Sequence, residues 1–436
     1  MRVALHTLGC KLNFADTGSI GRAFQERGFE TVAFGQKAEV SVINTCTVTE
    51  EAERKCRQAI RKAVRANPET YVIVTGCYAQ LRPEEIAAIE GVDLVLGTAE
   101  KNQLFAYTDA FTKSERTQVH VSCIDEAIDF GPSSDAGDRT RAFLKVQDGC
   151  DYSCSFCTIP AARGKSRSHT ITGAAAQATA IGEAGFSEIV LSGVNIGLFG
   201  QDTGEGLLAL FERLDAVQAI DRFRISSIEP NLLTNEIIHF VAASRAFQPH
   251  FHIPLQSGDD EVLAAMRRRY RRHVYRERIE HIRSKMPDAC IGADVIVGFP
   301  NETDARFQNT VEFLEALNLS YLHVFTYSER PGTQAMDRFG TDVVDRAVRS
   351  QRNRALRMLS ARKTQAFYAS QLGSVRPVLW ERFSADRQQG FTDNYVRVTR
   401  QSVAGTQGVT EDLLLTGIAD DGSVQVTEPG LAVIPG

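Results

Sequence analysis

Residues 148–160 read DGCDYSCSFCTIP, placing Cys150, Cys154 and Cys157 in a Cys-x3-Cys-x2-Cys run directly after an apolar stretch at 143–147. A structural zinc site normally closes with four ligands, and no fourth Cys or His stands close by. Three clustered thiolates would leave one metal position open to a substrate or cofactor. The stretch before them is the first of six apolar runs, at 143–147, 188–191, 223–226, 251–255, 291–297 and 321–325, with helical spacing between them. Six βα units predict a partial (β/α)6 barrel whose chemistry sits at the carboxyl ends of its strands. Eight would close it.

Upstream, apolar runs at 3–8, 40–43 and 71–74 alternate with helical patterns at 16–27 and 50–66, the second stopped before Pro68. That alternation predicts an amino-terminal parallel α/β sheet. The stretch GPSSDAGD at 131–138 reads as a linker. Residues 345–363 read as a basic helix with seven basic residues against one acidic, and beyond Gly373 short runs separated by turn residues predict a small all-β barrel. The expected division is 1–115, 136–368 and 371–436. The 436 residues carry 49 basic and 54 acidic side chains, a net charge of −5, so any nucleic-acid contact must come from local patches. No apolar run reaches membrane-span length and the start has no signal-peptide pattern, so a cytoplasmic protein with no membrane partner is expected.

Nine cysteines is an odd number in a chain without an export signal, which favours metal or redox chemistry over a disulfide framework. Besides the triplet, Cys10, Cys46 and Cys77 each follow the carboxyl end of an expected strand, in VALHTLGC, VINTC and YVIVTGC. Strand ends of a parallel sheet lie along one edge, so three distant cysteines can converge there. A buried core cysteine is the competing reading for any one of them, and it weakens when all three are taken together. Cys56, Cys123 and Cys290 match neither set and read as structural or free.

The triplet on the first strand of six units resembles the radical S-adenosylmethionine (SAM) signature. The contexts TLGCKLN, NTCTV and TGC resemble the amino-terminal domain of the methylthiotransferases, and RFSADRQQGFTDNYVRV resembles the RNA-binding TRAM barrel. The resemblance implies two 4Fe-4S clusters. One, on Cys150, Cys154 and Cys157, would bind SAM at its open iron, with Phe156 beside the adenine. The other, on Cys10, Cys46 and Cys77, would carry the sulfur to be transferred. It places Ser192, Gly193 and Asn195 (LSGVNIG), Glu229 (SSIEP) and Gln256 and Ser257 (HFHIPLQSGDD) around SAM. GADVIVGFPNET and FTYSERPGT resemble the fifth and sixth strand ends.

TLGCKLN resembles the branch acting on N6-threonylcarbamoyladenosine at position 37 of tRNA, as against the isopentenyladenosine and ribosomal-protein branches. The implied reaction is methylthiolation of adenine C2: a 5'-deoxyadenosyl radical abstracts hydrogen, the auxiliary cluster delivers sulfur, and a second SAM gives the methyl group. It calls on the tRNA anticodon loop, an electron donor such as a flavodoxin or ferredoxin, and a sulfur source. With a net charge of −3 from Gly373 onward, RNA affinity in the tail would rest on placed contacts by Arg376, Arg382, Arg397, Arg400, Phe391 and Tyr395. The arginine run around Tyr270 and the helix at 345–363 read as phosphate contacts. Two other classes stay open: a zinc-thiolate RNA-binding module, and a metal-dependent hydrolase on His250 and His252, whose spacing puts both on one side of a strand.

Overall fold

The computed structural model describes residues 1–113, 116–127, 129–135, 140–340, 343–384, 386–403 and 405–430, and all of these side chains except that of Arg382. The expected boundaries at 115 and 136 lie outside the described residues.

Three expected strands, Arg2–Thr7, Val40–Thr45 and Tyr71–Gly76, form the centre of an all-parallel amino-terminal sheet. Glu30–Val32 pairs on one side, and Leu94–Leu96 and Gln118–His120 on the other. These three-residue strands are too short to show a period. The crossover helices are Lys11–Gln25 and Glu50–Ala66. Thr49 starts the second, its hydroxyl accepting from Ala52 N at 3.1 Å, and Glu50, Glu51 and Glu53 occupy its positive first turn. The first helix begins at Lys11 rather than 16, because the Gly9 turn lets the chain enter it directly from the strand.

Six parallel strands follow. Arg141–Lys145, Glu188–Ser192 and Arg222–Ile225 form one sheet, and His250–His252, Cys290–Val297 and Tyr321–Thr326 another. Parallel bridges Phe223–Phe247 and Ser227–His252 join them into an open arc, the expected partial barrel. One face of each strand (Leu144, Leu191, Ile225, Phe251, Ala293, Leu322) packs on the outer helices in a single apolar core. The opposite face carries polar residues, and helix Lys11–Gln25 covers part of it: Ala15 packs with Phe143 and Val190. The stretch read as a linker is in part a strand, since Ser134–Asp135 pairs antiparallel with Leu144 and Phe143. Its residues 136–138 lie outside the described residues.

The basic helix spans Arg346–Ser370 with Asp345 as its cap. It is not uniformly a solvent face: Arg349 and Arg352 are buried, Arg352 on Glu302 and Asp304. Beyond it, strands Val375–Phe383, Arg387–Thr392, Arg397–Gln401, Thr410–Ile418 and Val424–Thr427 close a five-stranded barrel around Trp380.

Candidate functional site

Strand ends of the amino-terminal sheet bring Cys10, Cys46 and Cys77 to one edge. Gly9 and Gly76 precede two of them with φ of 105° and 97°. A Cβ at Gly9 would stand 2.9 Å from Cys46 Sγ, and one at Gly76 would meet Asn44 Oδ1 at 2.4 Å, so both turns require glycine. The Gly9 contact also shows how closely the Cys10 and Cys46 turns approach. Burial pushes the Cys46 thiol up to about 12, with Cys77 and Cys10 adding to the rise. Burial raises Cys77 as well, and Arg163 counters it.

Across the domain boundary, Cys150, Cys154 and Cys157 lie on the loop after strand Arg141–Lys145. Backbone N–H groups already point at sulfur: Tyr152 N at 3.4 Å from Cys150 Sγ, and Ile159 N at 3.4 Å from Cys157 Sγ. Burial raises Cys150 to about 11 and Cys157 to about 12. A bound metal reverses this, because only the thiolate ligates.

Two arginines serve the thiols. Arg268 Nη1 donates to Cys154 Sγ at 3.0 Å while pairing with Glu229 and donating from Nε to Tyr270 Oη at 3.1 Å. Arg163 Nε donates to Cys77 Sγ at 3.3 Å, Nη1 to Asp148 at 2.7 Å, and Nη2 to Asn13 Oδ1 at 2.5 Å. Asp16 joins this buried group, bonded by Lys101 at 2.6 Å and Lys145 at 3.0 Å. The thiol-bearing edges of both domains are thus tied by one charged network. A second tie is Arg330, after the sixth strand, on Thr47 and Glu53 beside Cys46. None of these links was visible in the sequence; the arginine run around Tyr270, read as a phosphate contact, instead supplies Arg268 to a thiol and Arg269 to the face of Tyr152.

Gln147, which the sequence reading did not single out, organises the second strand end among the residues expected around SAM: its Oε1 accepts from Asn195 N at 3.0 Å, and its Nε2 donates to Gly149 O at 2.7 Å. A Cβ at Gly193 would press on Gln147 Oε1 at 2.9 Å. Asn195 is 4% exposed, yet neither its Oδ1 nor its Nδ2 has a partner among the described residues. A buried amide without partners costs free energy and fits a polar ligand at this strand end. Ser192 Oγ turns back to Val190 O at 3.2 Å, and Ser257 Oγ is taken by Thr310 at 3.3 Å and Asp259 N at 3.2 Å. Glu229 is engaged by Arg268. Gln256 holds a left-handed φ of 68° between the fourth and fifth strands, and Phe156 packs against the cluster of Phe299, Met266 and Val262.

The histidines part company. His250 is buried, stacked on Tyr395 at 4.4 Å and 3.1 Å from Tyr321 Oη. His252 instead meets Asp294 and, with His323, makes the one group of three His, Cys, Asp or Glu ligand atoms within 4.8 Å of one another among the described residues. Neither cysteine triad brings all three of its sulfurs within 4.8 Å of one another, whereas the sulfurs of a tetrahedral zinc site stand roughly 3.8 Å apart. That spacing suits a multi-iron cluster, whose thiolates attach to different metal atoms.

Arg376, Phe391 and Tyr395, expected on RNA, lie in the seam between the two barrels. Arg376 pairs with Asp288 at 2.8 Å and Asp393 at 3.3 Å; Phe391 and Tyr395 stack at 4.8 Å, with Arg141 and Arg224 over the tyrosine. Arg400 lies over Trp380. The Arg382 side chain is outside the described residues. Arg397 lines a groove of about 1340 Å³ between the sixth strand, helix Arg346–Ser370 and both flanking domains. Arg346 and Arg357 line it too, with no ion pair among the described residues, and His323 and Phe325 mark its inner wall.

Comparison with known proteins gives concordant matches. Residues 2–97 match the family described as "Uncharacterized protein family UPF0004", and 144–314 match the radical SAM superfamily. The chain is 40% identical to the threonylcarbamoyladenosine tRNA methylthiotransferase MtaB of Bacillus subtilis (strain 168), over 91% of this chain and 89% of that one. The protein of the same name from Aquifex aeolicus (strain VF5) is 37% identical over 92% and 97%. Among solved structures, the radical SAM methyltransferase TsrM of Kitasatospora setae superposes with a TM-score of 0.57 at 14% identity, covering 74% of this chain and 72% of that one. That likeness concerns the fold. No described helix is long and apolar enough to cross a membrane.

Proposed function

The chain belongs to the threonylcarbamoyladenosine tRNA methylthiotransferases, and we propose that its two cysteine triads divide the reaction between them. It is a radical SAM transferase that methylthiolates N6-threonylcarbamoyladenosine of tRNA. Cys150, Cys154 and Cys157 hold the 4Fe-4S cluster that meets SAM, and Cys10, Cys46 and Cys77 hold a second one. When bound, these groups supply reductive cleavage of SAM, hydrogen abstraction from adenine C2, and the sulfur that replaces the hydrogen.

The observation that carries this division is the Arg163 network, which fixes Cys77 of one domain beside the cluster loop of the other. The chain's own residues do the positioning. Asn195 offers an unpaired donor and acceptor to the amino and carboxylate groups of SAM, with Gln147 fixing its backbone. Glu229 orients Arg268, whose N–H group bonds Cys154 and offsets thiolate charge. Arg346, Arg357 and Arg397 flank the groove through which an anticodon loop reaches the barrel, and phosphate contacts there set register rather than sequence. Position 37 offers an unstackable loop base. Turnover draws on a one-electron donor such as a flavodoxin or ferredoxin and on a sulfur source.

Nucleoside mass spectrometry of tRNA treated with reconstituted enzyme, SAM and a reductant tests the reading. The 2-methylthio product is expected with wild type and lost on Cys154→Ala or Cys46→Ala. Product made by either variant contradicts the division of roles.

A further inference from the structure

Strand Tyr321–Thr326 is the outer edge of the arc, and its alternate side chains divide between two faces. Leu322 and Val324 pack outward on the apolar core. Tyr321, His323 and Phe325 point inward: Tyr321 Oη lies 3.1 Å from His250 Nε2, and His323 Nδ1 3.2 Å from Asp294 Oδ1. The ring centroids of Tyr321 and His323 stand 5.0 Å apart, so rings climb the strand from the domain seam towards its carboxyl end. Phe325 is the last of them. It is 47% exposed, and no other aromatic ring packs on it among the described residues. Of the two most exposed described phenylalanines, Phe325 and Phe383, it alone lines the groove.

A lone exposed ring is ordinary on a protein surface; its setting distinguishes this one. Helix Arg346–Ser370 holds the strand that carries it: Asn353 Nδ2 donates to Val324 O at 3.3 Å and to Thr326 Oγ1 at 3.2 Å, and Ser360 Oγ bonds both Leu322 N and Leu322 O at 2.9 Å. These bonds take the outward polar groups of the edge, so the strand is closed to an added peptide strand. What the groove offers is the ring. Its acids are answered within the protein: Glu329 by Arg349, Glu51 by Arg54 and Lys55, and Asp421 by Arg387. Glu50 sits in the positive first turn of its own helix. Arg346 and Arg357 have no ion pair among the described residues, and Arg397 bonds only a backbone carbonyl, that of Asp421, at 2.7 Å. A rigid apolar plate among free guanidinium groups matches a nucleobase flanked by its phosphates. The groove, at about 1340 Å³, exceeds the roughly 300–1,000 Å³ of small-molecule pockets. Thr49, three residues past Cys46, lines it too.

We propose that Phe325 is the stacking platform for a nucleobase next to position 37 of the anticodon loop. Position 37 itself must enter the barrel to react, and Phe325 stands at the barrel's mouth, so a neighbouring base lands on it and sets how far the loop enters. The inference rests on the functional reading above. It makes Phe325 a substrate-binding residue that carries no charge, distinct from the arginines that meet phosphate.

The test is binding of a threonylcarbamoyladenosine-bearing anticodon stem-loop to reconstituted enzyme, with 2-aminopurine, whose fluorescence falls on stacking, placed in turn on either side of position 37. Wild type is expected to quench one of the two probes. Phe325→Ala relieves that quench and weakens binding by roughly ten- to a hundredfold, the worth of one stacked base. The slope of log affinity against log salt stays at the wild-type value, because no phosphate contact is lost. Phe325→Leu keeps apolar bulk without the flat ring and behaves like Phe325→Ala, while Phe325→Tyr keeps both quench and affinity. Should Phe325→Ala melt earlier than wild type, Phe325→Leu carries the comparison. No quench at either position in wild type, a quench that persists in Phe325→Ala, or wild-type affinity in Phe325→Leu overturns the platform. Wild type that neither binds nor methylthiolates the stem-loop overturns the functional reading, and the platform with it.

Discussion

Arg163 Nε lies 3.3 Å from Cys77 Sγ, so a side chain of the barrel domain donates a hydrogen bond to a thiol at the edge of the amino-terminal sheet. The same guanidinium is pinned by Asp148 and Asn13, which leaves it little freedom. The sulfur it touches is therefore held by the partner domain as well as by its own.

Removing that guanidinium strands Asp148 without its nearest cation in the interior. Arg163→Ala is expected to lower unfolding free energy by about 3–5 kcal/mol, the usual cost of breaking a buried pair from one side. Arg163→Lys keeps the charge but not the planar fork, and should lose less. Denaturant titration of both variants measures the difference.

The same network sets the acid limit. Burial alone would raise Asp16 and Asp148, but Lys101, Lys145 and Arg163 outweigh it and hold both carboxyls well below the usual range. Folded-state values below the unfolded value of about 3.9 contribute stability that is complete above roughly pH 5 and is lost as pH falls. Melting temperature should therefore fall steeply from about pH 5 to pH 3, and Asp16→Asn should flatten that fall.

Glu53 and Arg330 test the second tie. Arg330→Met leaves Glu53 buried beside Thr47 without its cation, with an expected loss of about 3 kcal/mol. Glu53→Gln combined with Arg330→Met should recover part of it. A double-mutant cycle read by thermal unfolding gives the coupling, and additive losses would show that the pair does not couple the domains.

Metal-free protein has a thiol pattern of its own. Cys46 and Cys157 at about 12, and Cys56 and Cys150 at about 11, are raised chiefly by burial and remain protonated at pH 8. Iodoacetamide followed by peptide mass spectrometry should label exposed Cys10 and Cys123 first and these four slowly. Iron and sulfide loading should release protons and proceed further as pH is raised from 7 to 9.

In the groove, Arg357→Ala and Arg397→Ala should each weaken tRNA binding and reduce the slope of log affinity against log salt by about one. Phe391→Ala should instead destabilise the seam between the barrels and leave that slope unchanged, because its ring stacks on Tyr395 inside the seam. Filter binding across a salt series separates the two effects.

The placing of the six cysteines at strand ends was legible because its signal is local: three share one loop, and three close strands that announce themselves by apolar runs. Three long strands and both crossover helices of the amino-terminal domain were legible for the same reason. Glu30–Val32, Leu94–Leu96 and Ser134–Asp135 were not, since two or three residues carry no period and owe their pairing to neighbours. Arg163 and Arg268 look like surface arginines in one dimension. Their partners Asp148 and Glu229 stand 15 and 39 residues away, and only the barrel brings them together. His252 offered no visible carboxylate partner, because Asp294 comes from the neighbouring strand. Phe391 and Tyr395 have the composition of an RNA platform but are consumed in a domain seam.

Iron and acid-labile sulfide, measured with a visible spectrum on anaerobically reconstituted protein, test the central claim most directly. Two independent 4Fe-4S clusters predict about eight irons in wild type and about four in each of the triple variants Cys150/Cys154/Cys157→Ala and Cys10/Cys46/Cys77→Ala. Four irons in wild type, unchanged by loss of Cys10, Cys46 and Cys77, would contradict the second cluster and with it the division of the reaction between two thiol triads.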